Sequence, residues 1–146
     1  MKVYIETLGC PKNFNDTEVA KGCLCEERDF TLADSPEEAD IIMVNTCGFI
    51  NDAKKESIDK ILEMSGYKES GESEKKLVVS GCLSERYSKE LFDEMPEVDC
   101  FIGVNMNACR RFCVICIRAR ILSAVVSVTP YRACGESLTV ILLRQL

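Results

Sequence analysis

Three times in this chain an apolar run stops at a cysteine joined to a glycine, and a helical pattern follows. The runs are KVYIETL at 2–8, ended by Gly9-Cys10; DIIMVN at 40–45, ended by Thr46-Cys47-Gly48; and KLVVS at 76–80, ended by Gly81-Cys82. The first alternates at Val3, Ile5 and Thr7, as a half-buried strand does. The second is continuously apolar, as a strand covered on both faces is. Between them, Phe14, Val19, Ala20, Cys23 and Leu24 share one helical face, with Asn15 and Glu18 spaced as a capping box. Ala53, Ile58, Ile61 and Leu62 recur at helical spacing over 51–65, and 66–74 reads as a loop. A third helix opens at Ser84, turns Tyr87, Leu91 and Phe92 inward, and closes at Met95-Pro96. Short strands fit 29–33 and 100–102. Strands alternating with helices of this length make βαβ units. The predicted fold is α/β: a mostly parallel five-stranded Rossmann- or flavodoxin-like sheet with helices on both faces, followed by an irregular C-terminal tail. No GxGxxG or Walker A pattern follows any strand, so a nucleotide is not the expected ligand.

The carboxyl ends of parallel strands lie along one edge, and ligands bind in the crevice outside it. Cys10, Cys47 and Cys82 can therefore meet in space although 36 and 34 residues lie between them. A glycine beside each lets the backbone turn sharply and approach a bulky ligand. The helix N-termini facing this edge favour negative charge and lower thiol pKa. Converging thiolates suit zinc or an iron–sulfur cluster. The chain has no His, and no fourth Cys sits at an equivalent strand end. A closed structural zinc site wants four ligands; a 4Fe–4S cluster held by three leaves one iron open. The bland alternative is that the three cysteines are small buried hydrophobes. Of the others, Cys23 and Cys100 read as packed, Cys25 as partly exposed, and Cys134 has no partner pattern.

The missing His also removes Ser–His and Cys–His catalysis. No run approaches a membrane span, and no secretory signal is visible at the N-terminus. The ten cysteines are then expected to be thiols or ligands in a reducing compartment, the cytoplasm, and not a disulfide framework. The net charge of −6 conceals a break. Residues 1–105 hold 23 acids and 12 bases, ten of them Lys; residues 106–146 hold one acid and six bases, all Arg. Two readings compete: a basic tail that binds nucleic acid or a membrane surface, or a segment after residue 105 that is not the natural continuation of the first. The tail's lack of clean periodicity favours the second. The domain boundary is set there: 1–105 as one domain and 106–146 as an aberrant or unassigned tail.

The motifs ETLGCPKNFNDTE at 6–18, VNTCGFINDAKKESIDKILE at 44–63 and VSGCLSERYSKEL at 79–91, in this order, resemble the N-terminal domain of the radical-SAM methylthiotransferases. The wording GCPKN, NTCGFI and GCLSERY is similar to the branch that modifies an aspartate of a small-ribosomal-subunit protein. The sister branch, acting on adenosine in transfer RNA, usually has Gln-Met where this chain has Pro11-Lys12. The resemblance implies that Cys10, Cys47 and Cys82 bind an auxiliary 4Fe–4S cluster whose open iron holds the sulfur to be methylated and transferred. It implies a second 4Fe–4S cluster that cleaves S-adenosylmethionine in a following partial barrel, and insertion of the methylthio group at the aspartate β-carbon. Lys12, Asn13 and Asn45 stand beside the cysteines without an assigned role.

The second cluster needs C-x3-C-x2-C, and Cys109, Cys113 and Cys116 in ACRRFCVICIR have that spacing. Their context does not match: no strand pattern precedes them, the family's long linker is missing, and 30 residues follow, too few for a barrel. The expectation is a family of enzymes but a chain without the barrel, inactive alone. Besides the transfer-RNA branch, a non-enzymatic thiol or RNA-binding module stays open. Nucleic acid is not expected to bind residues 1–105, whose net charge is −11.

Overall fold

The structure is a computed structural model that describes residues 1–26, 28–69, 75–104 and 141–143, the side chains of 69 and 141–143 excepted. The elements run β1 (Lys2–Thr7), α1 (Pro11–Cys25), β2 (Thr31–Leu32), a 3-10 turn (Pro36–Glu38), β3 (Ile41–Thr46), α2 (Asn51–Glu69), β4 (Lys76–Gly81), α3 (Cys82–Glu94), β5 (Cys100–Ile102) and β6 (Ile141–Leu143). The sheet order is β2-β1-β3-β4-β5-β6. The first five strands pair in parallel, in the order of a flavodoxin-like sheet, as the alternation of elements predicts. Beyond the expectation, β6 pairs antiparallel with β5.

Right-handed crossovers place the helices. The chain steps one way from β1 to β2 and the other way from β3 through β4 to β5, so α1 covers one face and α2 and α3 the opposite one. Ala20 and Leu24 of α1 pack with Val3, Ile41, Met43 and Val78. Ile61 and Met64 of α2, with Leu83 and Leu91 of α3, pack on Ile42, Val44, Leu77, Val79 and Phe101. Burying each such side chain is worth roughly 1.5–3 kcal/mol. Lys75 is buried as well, its Nζ donating to the carbonyls of Pro36 and Glu37 and so fixing the 3-10 turn below the sheet.

Three local expectations are corrected. Helix α1 begins at Pro11, not near Asn15; Cys10 is its N-cap, and Pro11 fits the first turn because its missing N–H has no helical partner there. Its inward face is Asn13, Thr17, Ala20 and Leu24, while Phe14 is 54% exposed. Helix α2 runs on through Glu69 into the expected loop, and buries Ser57, Ile61 and Met64 while Leu62 faces out. Helix α3 starts at Cys82 itself, with Ser84 buried in its first turn.

Candidate functional site

β1 and β3 flank the point where the chain reverses its direction of travel across the sheet, which is where a flavodoxin-like fold opens its ligand crevice. Cys10 follows β1 there, Cys47 follows β3, and Cys82 follows β4 on the next strand over. The three segments touch through their glycines. Gly9 has φ +92°, and a Cβ on it would overlap the Cys47 Cβ and stand 2.8 Å from its Sγ. A Cβ on Gly48 would stand 2.8 Å from the Leu83 Cα, immediately after Cys82. Gly81, φ +101°, is pressed against the backbone of Thr46. Hydrogen acts as the side chain at all three positions because the neighbouring segment occupies the space of any larger one.

Polar groups fix these segments. Asn13, buried, donates from Nδ2 to the carbonyls of Leu8 (2.8 Å) and Thr46 (3.1 Å), tying the start of α1 to the ends of β1 and β3. The Leu8 N–H continues the β1–β3 ladder to the Asn45 carbonyl at 2.9 Å. Ser57 of α2 clasps Cys47 at both backbone groups, accepting from its N–H (3.1 Å) and donating to its carbonyl (3.0 Å). Thr46 Oγ1 donates to the Ser80 carbonyl at 2.6 Å, and Arg86 of α3 reaches the Gly48 carbonyl.

Cys10 is exposed, Cys82 half-buried and Cys47 buried. The Cys10 thiol is held below its ordinary range, chiefly by the backbone N–H of Asn13 in the first turn of α1. Cys82 goes the other way: burial pushes it up, and the neighbouring Cys47 adds to this against the cations of Lys12 and Arg86. Helix N-termini thus lower the thiol pKa at Cys10, as expected, but at Cys82 desolvation wins.

Among the described residues no three or more Cys, Asp or Glu side chains form a group that could hold a single metal ion. A cubane is gripped at separate irons, so its thiolates need not close on one point as those of a lone ion do. Three soft donors on one rim, with two cations beside them, suit that group chemically. Cys109, Cys113, Cys116 and Cys134 lie outside the described residues. Cys100 is buried, Cys25 exposed and Cys23 intermediate. Sequence reading did not find Ser57 or Arg86. Their partners are 10 and 38 positions away, and only the fold makes them neighbours.

The sequence model of the uncharacterized protein family UPF0004 matches residues 2–103. A ribosomal protein uS12 methylthiotransferase RimO of Caldicellulosiruptor saccharolyticus is 51% identical over 104 residues, 71% of this chain and 23% of the relative. The proteins of the same name from Natranaerobius thermophilus and Myxococcus xanthus are 53% identical over 105 residues and 54% identical over 106, covering 72% and 73% of this chain and 23% and 22% of theirs. The chain therefore spans less than a quarter of the length of these relatives.

Proposed function

The chain belongs to the family UPF0004, the N-terminal domain of methylthiotransferases, and from that membership we propose that residues 1–105 are the auxiliary 4Fe–4S domain of an enzyme that methylthiolates the β-carbon of an aspartate in ribosomal protein uS12. The observation that carries the reading is the packing of the Cys10, Cys47 and Cys82 segments against one another at the carboxyl edge of the sheet. Cys10, Cys47 and Cys82 are the proposed ligands. Residues 106–146 are proposed as an unassigned tail, of which 141–143 add an antiparallel strand at the edge of the sheet. S-adenosylmethionine and a second cluster would be held outside residues 1–105.

When bound, the cluster supplies an iron open to an outside sulfur ligand. The chain's own residues prepare the site for it. The exposed Cys10 offers a thiolate without a large desolvation cost, the Ser57 clasp holds the Cys47 backbone, and Lys12 and Arg86 offset negative charge gathered at the rim. Phe49 and Ile50, 78% and 54% exposed, give the crevice an apolar margin beside Cys47. The relatives' names and the Pro11-Lys12 pair favour the ribosomal-protein substrate over transfer RNA. Among the described residues no helix is long and apolar enough to cross a membrane, and we place the working protein in the cytoplasm, where thiols stay reduced.

Anaerobic reconstitution of the full chain, with Cys109, Cys113 and Cys116 replaced by Ala so that only the sheet-edge cysteines can load, tests the ligand set. The expected result is about four iron per chain with a sulfur-to-iron charge-transfer band, both lost when Cys10, Cys47 and Cys82 are replaced together by Ala. A band that survives the triple replacement rejects the site. Substrate choice is tested by whether a full-length enzyme carrying residues 1–105 restores the methylthio group on uS12 in cells lacking it.

A further inference from the structure

β3 ends in two buried polar side chains, Asn45 and Thr46; Asn45, two residues before Cys47, is 1% exposed. A buried amide costs free energy unless its groups are paired, so its partners say what it is for. Its Nδ2 donates to the Asn13 carbonyl at 2.9 Å and to Thr17 Oγ1 at 3.1 Å, both on α1, the helix that Cys10 caps. Its Oδ1 lies over Gly81, where a Cβ would stand 2.6 Å away, next to Cys82. The strand register sets Thr7, Asn45 and Ser80 side by side across β1, β3 and β4, and Thr7 closes the row by a 2.8 Å hydrogen bond to Thr17. One side chain thus touches the segments of all three cysteines.

We propose that Asn45 is the positioning residue that locks the Cys10, Cys47 and Cys82 segments into one site, a role that rests on the reading of these thiols as ligands of a single cluster. The amide suits this because one end donates and the other is a compact acceptor. The donor end fixes the first turns of α1 against β3. The oxygen end sets how closely the β4–α3 corner approaches. Asn45→Asp keeps the outline but turns an acceptor toward the Asn13 carbonyl. Asn45→Val suits the strand and removes both functions. Asn45→Ser retains one donor.

The experiment compares the full wild-type chain with these three variants and with Ala20→Gly, which weakens α1 a turn further from the site. Three quantities are read: iron uptake with the electron paramagnetic resonance spectrum of the reduced protein, the yield of a Cys10–Cys82 cross-link by a short bis-maleimide in metal-free protein, and the thermal melt. In Asn45→Asp and Asn45→Val, iron affinity falls about tenfold, the spectrum shifts and the cross-link yield drops; Asn45→Ser recovers part of each. Ala20→Gly lowers the melting temperature and leaves the other two readouts at wild-type values. If the Asn45 variants load and cross-link like wild type, or Ala20→Gly loses as much, the positioning role is overturned while the cluster reading stands. If wild type takes up no cluster yet the cross-link still fails in the Asn45 variants, the cluster reading falls and the positioning role survives. Should Asn45→Val not fold, Asn45→Ser and Asn45→Asp decide by the same readouts; a wild type that neither loads nor cross-links overturns both.

Discussion

A thiol reacts through its thiolate, so two cysteines on one rim can differ sharply in reactivity. Cys10 is exposed and its pKa is held down by the Asn13 N–H, whereas Cys82 is half-buried and its pKa is pushed up by burial and by Cys47. In metal-free protein near neutral pH, iodoacetamide should alkylate Cys10 roughly tenfold faster than Cys82. Raising the pH should narrow the gap, because Cys82 then gains thiolate while Cys10 has less left to gain. Timed quenching and peptide mass spectrometry would measure both rates; equal rates at neutral pH, or a gap that widens with pH, would contradict the electrostatics given for this rim.

At the scale of elements, the joint between β4 and α3 is the most constrained. Gly81 has φ 101° and ψ −164°, a region only glycine occupies freely, and a Cβ there would overlap the Thr46 carbonyl. Gly81→Ala should cost about 2–4 kcal/mol in urea unfolding. Gly22→Ala, in α1 where a Cβ meets nothing within 4 Å, should instead stabilise by about 0.5–1 kcal/mol. A small effect at Gly81 would mean that the corner relaxes and does not hold the cysteine segments in place. The contrast also explains what could be read in the sequence. Strands β3, β4 and β5 were legible because each is an apolar run cut short by Gly, Cys or Thr, and three cysteines at strand ends were visible for the same reason. The inward face of α1 was not. Near the site that face is Asn13 and Thr17, satisfied by Leu8, Asn45 and Thr46, and a search for apolar periodicity settles on Phe14 and Val19 instead. Ser57 on α2 escaped for the same reason: polar inward positions announce themselves only through partners that the fold supplies.

For the molecule as a whole, charge sets the response to alkali. Residues 1–105 already carry a net charge of −11, and each further deprotonation adds to that self-repulsion. Tyr4 makes the response specific. It lies on β1 against the α2 and α3 side of the core and donates its phenol proton to Glu6 Oε2 at 2.6 Å. That hydrogen bond, together with burial and the Glu6 charge, pushes its pKa from 10.0 up to about 12. The folded chain therefore keeps a proton that the unfolded chain gives up. Tyr4's contribution is fully present below pH 10.0 and is lost as the pH rises through about 12. Urea unfolding followed across that window should show a steeper loss of stability in wild type than in Tyr4→Phe, which has no phenol to ionise. The two profiles should differ by a constant amount below the window, where the phenol is neutral in both states, and converge within it. Parallel profiles through the whole range would mean that Tyr4 ionises with the same pKa folded and unfolded, and that the hydrogen bond to Glu6 does not bias the proton.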